Sequence, residues 1–216
     1  SLAACRGVLP DGTCFHVPGE DLAPPARPLA EHMAPEQQSV DVYLALPLAL
    51  EGRPNVLGEG ADAGSIARYR SRNTELCDGV SGGGRKAIEL GAAEYALRFG
   101  DESLDNYTAL RVARLRRQPD GKVIVDRTDI PAVLWIGASS ILIEQLGALV
   151  QSILARVANL AAARKQGGDG SARFGERDGN VSRMSHILNA HAPMLMQHLE
   201  AGTVHPYELY RDLAML

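Results

Sequence analysis

The sequence predicts an α+β protein with its β structure first, an antiparallel sandwich or barrel over residues 1–130 followed by helices over 131–216. Three observations predict it. Two Pro-Asp-Gly turns sit between apolar or β-branched runs, a period of two recurs through the first 130 residues, and the period becomes helical after Ile130-Pro131. The 216 residues, 45% of them hydrophobic, suffice to build a sizeable core in one or two domains.

The first hairpin is expected at Leu9-Pro10-Asp11-Gly12-Thr13, where Pro presets φ, Asp closes the turn and Gly takes a positive φ. Val40, Val42, Leu44 and Leu46 then alternate with Asp41, Tyr43 and Ala45, the pattern of a strand with one buried face. Tyr95, Leu97 and Phe99 repeat it. Residues 107–116 and 122–126 supply the arms of a second hairpin around Gln118-Pro119-Asp120-Gly121-Lys122. Pro-rich (18–28) and Gly-rich (58–64, 79–84) stretches separate these short strands.

In the second half, Leu142, Leu146, Leu149, Ile153, Val157 and Leu160 lie on one helix stripe, and Ile143, Val150, Leu154 and Ala161 widen it. So broad an apolar arc needs cover on more than one side, which predicts that a second chain completes the packing. The uncharged run 130–143 is cut by Glu144 and Gln145, short of the ~20 apolar residues a bilayer needs, so no membrane span is expected. Residues 167–179, with five Gly among charges, read as a mobile connector. The next helix is expected to open near Ser182, turn Met184, Leu188, Leu195 and Leu199 inward, and kink or split at Pro193. Gly202 stops it. Pro206 opens a third helix with Leu209, Leu213 and Leu216, which the chain end interrupts. The start at Ser1-Leu2-Ala3, with no initiator Met, and this ending suggest a piece of a longer chain.

Chemistry is scarce. A formal charge of −4 leaves no basic surplus for nucleic acid, and 5% aromatic residues argue against a stacking platform for bases or sugars. Cys5, Cys14 and Cys77 have neither disulfide nor zinc spacing and read as buried, inert thiols in a reducing compartment. In 79–87, Arg85 and Ala87 break the phosphate-loop pattern, and a strand is expected to follow, so a plain loop is the better reading. His191 and His198 share a helix face but lie ~10 Å apart along its axis, too far for one metal, and His186 points elsewhere. Ser139 and Ser140 lack a nucleophile elbow. No catalytic, cofactor or metal residue is predicted. Arg68, Arg70 and Arg72 alternate around Tyr69 and Ser71, and this cationic stripe is the candidate contact surface for an acidic partner.

The order of several segments resembles the TssK (ImpJ, VasE) family, the baseplate component of the bacterial type VI secretion system. They are Leu9-Pro10-Asp11-Gly12-Thr13 with Phe15, Val42-Tyr43-Leu44-Ala45-Leu46-Pro47, Arg68-Tyr69, and Tyr107-Thr108-Ala109-Leu110-Arg111-Val112-Ala113-Arg114. Asp129-Ile130-Pro131 and Pro206-Tyr207-Glu208-Leu209-Tyr210 complete the set. The resemblance implies a cytoplasmic, non-enzymatic adaptor of three copies. In it a β-sandwich shoulder (1–130) docks on other baseplate subunits, an antiparallel helical-bundle neck (131–216) trimerises, and a head domain, absent from these residues, contacts the membrane complex. Neither nucleic acid nor direct membrane insertion is implied, and the six-residue stripe from Leu142 to Leu160 becomes the expected seam. A small-ligand or enzymatic domain and a phage-tail or host-attachment module are the competing classes.

Overall fold

The computed structural model describes residues 1–58, 60–61, 65–80, 82–166 and 176–216. In chain order its strands are β1 (Cys5–Val8), β2 (Cys14–Val17), β3 (Ser39–Pro47), β4 (Val56–Leu57), β5 (Tyr69–Cys77), β6 (Arg85–Ala93), β7 (Ala96–Phe99), β8 (Tyr107–Arg117) and β9 (Val123–Val125). The helices α1 (Ser140–Gln166), α2 (Glu176–Ala201) and α3 (Pro206–Ala214) follow. Contacts divide the chain into two units, Ser1–Ala132 and Val133–Leu216.

In the β unit, the turn chemistry acts as read. Gly12 takes φ 87° and the Asp11 carboxylate accepts the Thr13 N–H at 3.0 Å, closing the antiparallel β1–β2 hairpin. Gly121 at φ 83° does the same between β8 and β9. A four-stranded antiparallel sheet runs in the order β7-β3-β8-β9, and a third sheet runs β4-β5-β6, with a two-residue parallel pairing between β4 and β5.

Burial on β3 alternates through Leu44 and then stops, because Ala45, Leu46 and Pro47 are all buried as well. Leu44 and Leu46 pack with Leu9, Phe15 and Tyr95. Val40 and Val42 pack with Met33, Leu97 and Phe99. Between Val42 and Tyr43 the pairing with β8 slips by one residue: Ala113 faces Val42 and Arg111 faces Tyr43, so Val112 is the extra residue of a β-bulge.

The helical unit starts with a short 3-10 turn, Ile136–Ala138. The Ser139 hydroxyl then accepts the Leu142 N–H at 3.4 Å, an N-terminal cap rather than a mid-helix serine. Leu146, Val150 and Ile153 of α1 form a core with Ala192 and Leu195 of α2, Leu209 of α3 and Ile136. Leu199, near the end of α2, is the neighbour of Gly147, near the start of α1. At that end the Gly137 N–H donates to the Gly202 carbonyl at 2.8 Å and the Ile136 N–H to the Val204 carbonyl at 3.0 Å.

Several expectations are corrected. α2 opens at Glu176, so residues 176–179 are helical; the rest of the expected connector, 167–175, lies outside the described residues. Pro193 does not split α2, which runs unbroken to Ala201, because Ala192 and Leu195 on either side are locked into the core while Pro193 itself is exposed. His205, the remaining histidine of this half and read as a polar helix-face residue like His186, His191 and His198, instead caps α3: its Nδ1 accepts the Tyr207 N–H at 3.1 Å. Cys14 and Cys77 are exposed, since they fall on open sides of β2 and β5. Finally, Ser140–Ala162 is long and apolar enough to cross a membrane by length and composition. The isolated charges at Glu144 and Arg156 interrupt an uninterrupted run but not the average.

The glycine clip gives a sharp test. A Cβ on Gly137 would stand 2.8 Å from the Gly202 carbonyl oxygen, whereas one on Gly147 meets only Leu199 methyls at 3.9 Å. Gly137→Ala should destabilise the helical unit by about 1–3 kcal/mol. Gly147→Ala, inside a helix, should be neutral or stabilise it by up to ~1 kcal/mol. Urea unfolding followed by circular dichroism checks both, and equal effects would refute the steric account.

Candidate partner-binding surfaces

Three charge networks organise the described residues of the β unit. Arg68, just before β5, is 7% exposed. Its Nη2 donates to Asp11 Oδ2 at 2.7 Å and to the Thr13 hydroxyl at 2.6 Å, its Nη1 to the Pro47 carbonyl at 2.9 Å, and its Nε to the Tyr69 hydroxyl at 3.3 Å. A planar guanidinium has five fixed donors and suits such a junction better than a lysine.

A second network depends on the bulge. In a regular strand residues three apart point to opposite faces, but the extra Val112 brings Arg111 and Arg114 to the same side. Arg114 grips Asp41 through Nε (2.8 Å) and Nη2 (3.2 Å), and Arg111 reaches Asp129 at 2.6 Å and Asp41 at 3.4 Å. The Arg114 hydrogen bond leads the interactions that hold the Asp41 carboxyl below the usual range.

The third network surrounds Glu102. Arg27 Nη1 lies 2.9 and 2.7 Å from its two oxygens, Arg98 donates at 3.0 Å, and the Phe99 N–H donates at 2.8 Å. Burial alone would raise this carboxyl; the donors override it and hold it at about 2. His32, stacked on Phe99 with ring centroids 4.4 Å apart, places Nε2 against Arg27 Nη2 at 2.8 Å and Nδ1 toward Asp101 at 3.3 Å. His32, Asp101 and Glu102 bring their ligand atoms within 4.8 Å of one another. Arg27 already donates to both Glu102 oxygens and lies against the histidine Nε2, so a guanidinium answers the negative charge of this cluster.

These placements redraw the predicted surfaces. Arg68 leaves the cationic stripe, since its partners lie on β1–β2 and β3, far away in sequence. Arg70 pairs with Glu94 at 2.8 Å, and Arg72 stays exposed with no ion-pair partner among the described residues. A groove of about 560 Å³ lies beside it, lined by Leu22, Arg72, Leu90 and Tyr95 among others. Burial and then the Asp21 carboxylate push the Tyr95 phenol up to about 12, so it stays neutral at ordinary pH.

In the helical unit, Leu146 and Ile153 are buried within the unit itself, Leu142 and Val157 pack against the same core, and Leu160 is half-buried. Of the predicted stripe, Leu149 alone is left exposed, at 36%, and Leu154 is equally open. On the far side of α1, Ala148, Ala155 and Ala162 are exposed at seven-residue spacing. His198 Nε2 meets Asp212 Oδ2 at 2.9 Å and joins α2 to α3. The long-range links of the charge networks carry no periodic sequence signal: Arg111 and Asp129 are 18 residues apart, Arg68 and Asp11 57, Arg114 and Asp41 73, and Arg27 and Glu102 75.

The described residues thus combine internal ion networks in a β unit with a helical unit, joined to it in sequence, that exposes small residues. The chain belongs to the bacterial type VI secretion family described as EvfL, ImpJ and VasE, whose model matches residues 1–216. The type VI secretion system baseplate component TssK1 of Pseudomonas aeruginosa (strain PAO1) is 32% identical over 223 residues, covering 100% of this chain and 47% of the relative. The chain thus spans about half the length of the curated relative it matches. A structure described as the baseplate complex from the type VI secretion system superposes with a TM-score of 0.84 at 27% identity, over 97% of this chain and 47% of that one. A TssK-TssF-TssG baseplate subcomplex solved by cryo-electron microscopy gives 0.82 at 25%, over 98% and 65%.

Two tests follow from the networks. Arg68→Ala strands Asp11, Thr13 and the Pro47 carbonyl and should cost the β unit about 2–4 kcal/mol in chemical unfolding; a change below the error of the method would remove Arg68 from its central place. The Glu102 carboxyl is depressed in the folded state, so its contribution is complete above the unfolded carboxylate pKa. It is lost as pH falls through that value toward the folded pKa of about 2. The unfolding midpoint should drop between about pH 5 and pH 2, and Glu102→Gln should flatten that drop.

Proposed function

We propose that this chain forms the shoulder and neck of a cytoplasmic type VI baseplate subunit. In this reading the β unit is an antiparallel sandwich that docks on other baseplate subunits, counterparts of TssF and TssG. The helical unit is an antiparallel bundle through which three copies associate, giving a scaffold that links the baseplate to the membrane complex. Contact with the membrane complex is assigned to no residue of this chain. The expected boundary near residue 130 belongs to the same proposal.

The observation that carries the neck proposal is the open face of α1. After α2 and α3 cover Leu146, Val150 and Ile153, the helix still exposes Ala148, Leu149, Leu154, Ala155 and Ala158. Small residues at heptad spacing let helices of different copies approach closely, and flanking leucines add apolar area. Glu144, Gln145, Gln151, Ser152, Arg156 and Asn159 are exposed along the same helix, which supports packing between proteins rather than immersion in lipid.

In this proposal the seam runs through Leu149, at the flank of the covered face, and the alanine stripe on the far side is a second surface of close approach. Light scattering should return three times 23.1 kDa for the chain at micromolar concentration. Leu149→Asp should reduce that mass with helicity unchanged, whereas Ile153→Asp, set in the unit's own core, should unfold the helices. A monomeric wild-type chain, or a Leu149→Asp variant that still trimerises, refutes this seam.

A further inference from the structure

The β5–β6 ribbon has an edge and a face that none of the described residues covers. β6 pairs with β5 alone, and no backbone hydrogen bond among the described residues reaches its outer edge. All residues from Arg85 to Gly91 are exposed. Natural sheets blunt open edges with bulges, prolines or short strands, and this nine-residue strand has no bulge in its pairing and no proline.

The two faces differ in charge. Register places Lys86 opposite Leu76, Ile88 opposite Thr74, and Leu90 opposite Arg72, so these six share one face. Leu76, Ile88 and Leu90 are 45%, 40% and 45% exposed, and neither Arg72 nor Lys86 has an ion-pair partner among the described residues. On the other face the charges are answered: Arg85 pairs with Glu75 at 3.7 Å, and the Ser71 hydroxyl donates to Glu89. One face is thus apolar with unbalanced cations, in a chain whose net charge is −4.

We propose that β6 is a docking edge, and that its occupant is an extended segment of a partner polypeptide, alternating apolar with acidic residues, which adds as a fourth strand beside β6. Main-chain hydrogen bonds along the edge supply affinity. Apolar side chains of the added strand meet Ile88 and Leu90, and its carboxylates meet Lys86 and Arg72. The groove of about 560 Å³ lined by Leu90, Arg72 and Leu22 receives the segment where it leaves the ribbon. A second β6 fits less well: antiparallel self-pairing about Glu89 sets two carboxylates against each other, and a two-fold edge contact does not close a three-fold ring.

This proposal rests on the baseplate reading, and the test separates the two. The full chain is mixed with the purified TssF–TssG pair of the bacterium that encodes it, and capture is measured alongside hydrogen exchange. The expected result is capture, with alternate amides of 85–93 slowed at least ~tenfold. Ile88→Lys combined with Leu90→Lys should weaken binding about tenfold or more, while Glu89→Lys on the other face changes it by less than about threefold. Circular dichroism confirms that the variants fold. Capture with unchanged β6 exchange overturns the edge proposal and leaves the baseplate reading intact. No capture overturns both. Concentration-dependent protection of β6 in the chain alone makes a second copy the occupant and overturns the partner-strand proposal.

Discussion

The Arg68 guanidinium is the constraint on which the β unit depends. It touches the β1–β2 turn through Asp11 and Thr13, the end of β3 through the Pro47 carbonyl, and the start of β5 through Tyr69. Three separate sheets therefore meet at one side chain. Asp11 serves both sides of the junction: Oδ1 holds the Thr13 N–H inside the turn, and Oδ2 receives the arginine. A buried cation is tolerated because its donors are matched to acceptors whose positions the turn and strand already define. The β5–β6 ribbon is rooted at this point, which explains how its base can be ordered while its outer part stands free.

The helical unit solves a different problem. α1 is apolar around more of its circumference than its two neighbours cover, and the core settles on the Leu146, Val150, Ile153 face. Its opposite side keeps alanines, which cost little when exposed and admit close approach when covered. The unit is closed at one end by backbone rather than side chains, through the Gly137–Gly202 and Ile136–Val204 hydrogen bonds. His198 and Asp212 fasten α3 at the same end of α2.

What could be read from the sequence was local. Pro-Asp-Gly turns, the alternation from Val40 to Leu46, the β8–β9 hairpin and the apolar stripe of α1 all arise from neighbours within a few residues, so periodicity and turn chemistry reveal them. Arg68 looked like one tooth of an exposed comb because alternation says which residues share a face and nothing about what covers it. Apart from Tyr69, its partners lie 21 to 57 residues away. The same limit hid which side of α1 is covered from within. The split at Pro193 did not occur: the local penalty for proline was weighed without the tertiary packing of Ala192 and Leu195 on either side. Cys14 and Cys77 were misjudged because residue type predicts burial only on average.

The bulge at Val112 has a consequence for how this surface is inherited. Arg111 and Arg114 reach Asp41 and Asp129 together because one extra residue shifts the strand between them. Point substitution cannot build that arrangement from a regular strand, since it takes an insertion and two arginines that have no purpose without it. Lineages should therefore keep or lose the four charged residues and the inserted position as a block. An alignment that closes the one-residue gap would pair Arg111 with a residue of the wrong face and make a retained network look like a lost one.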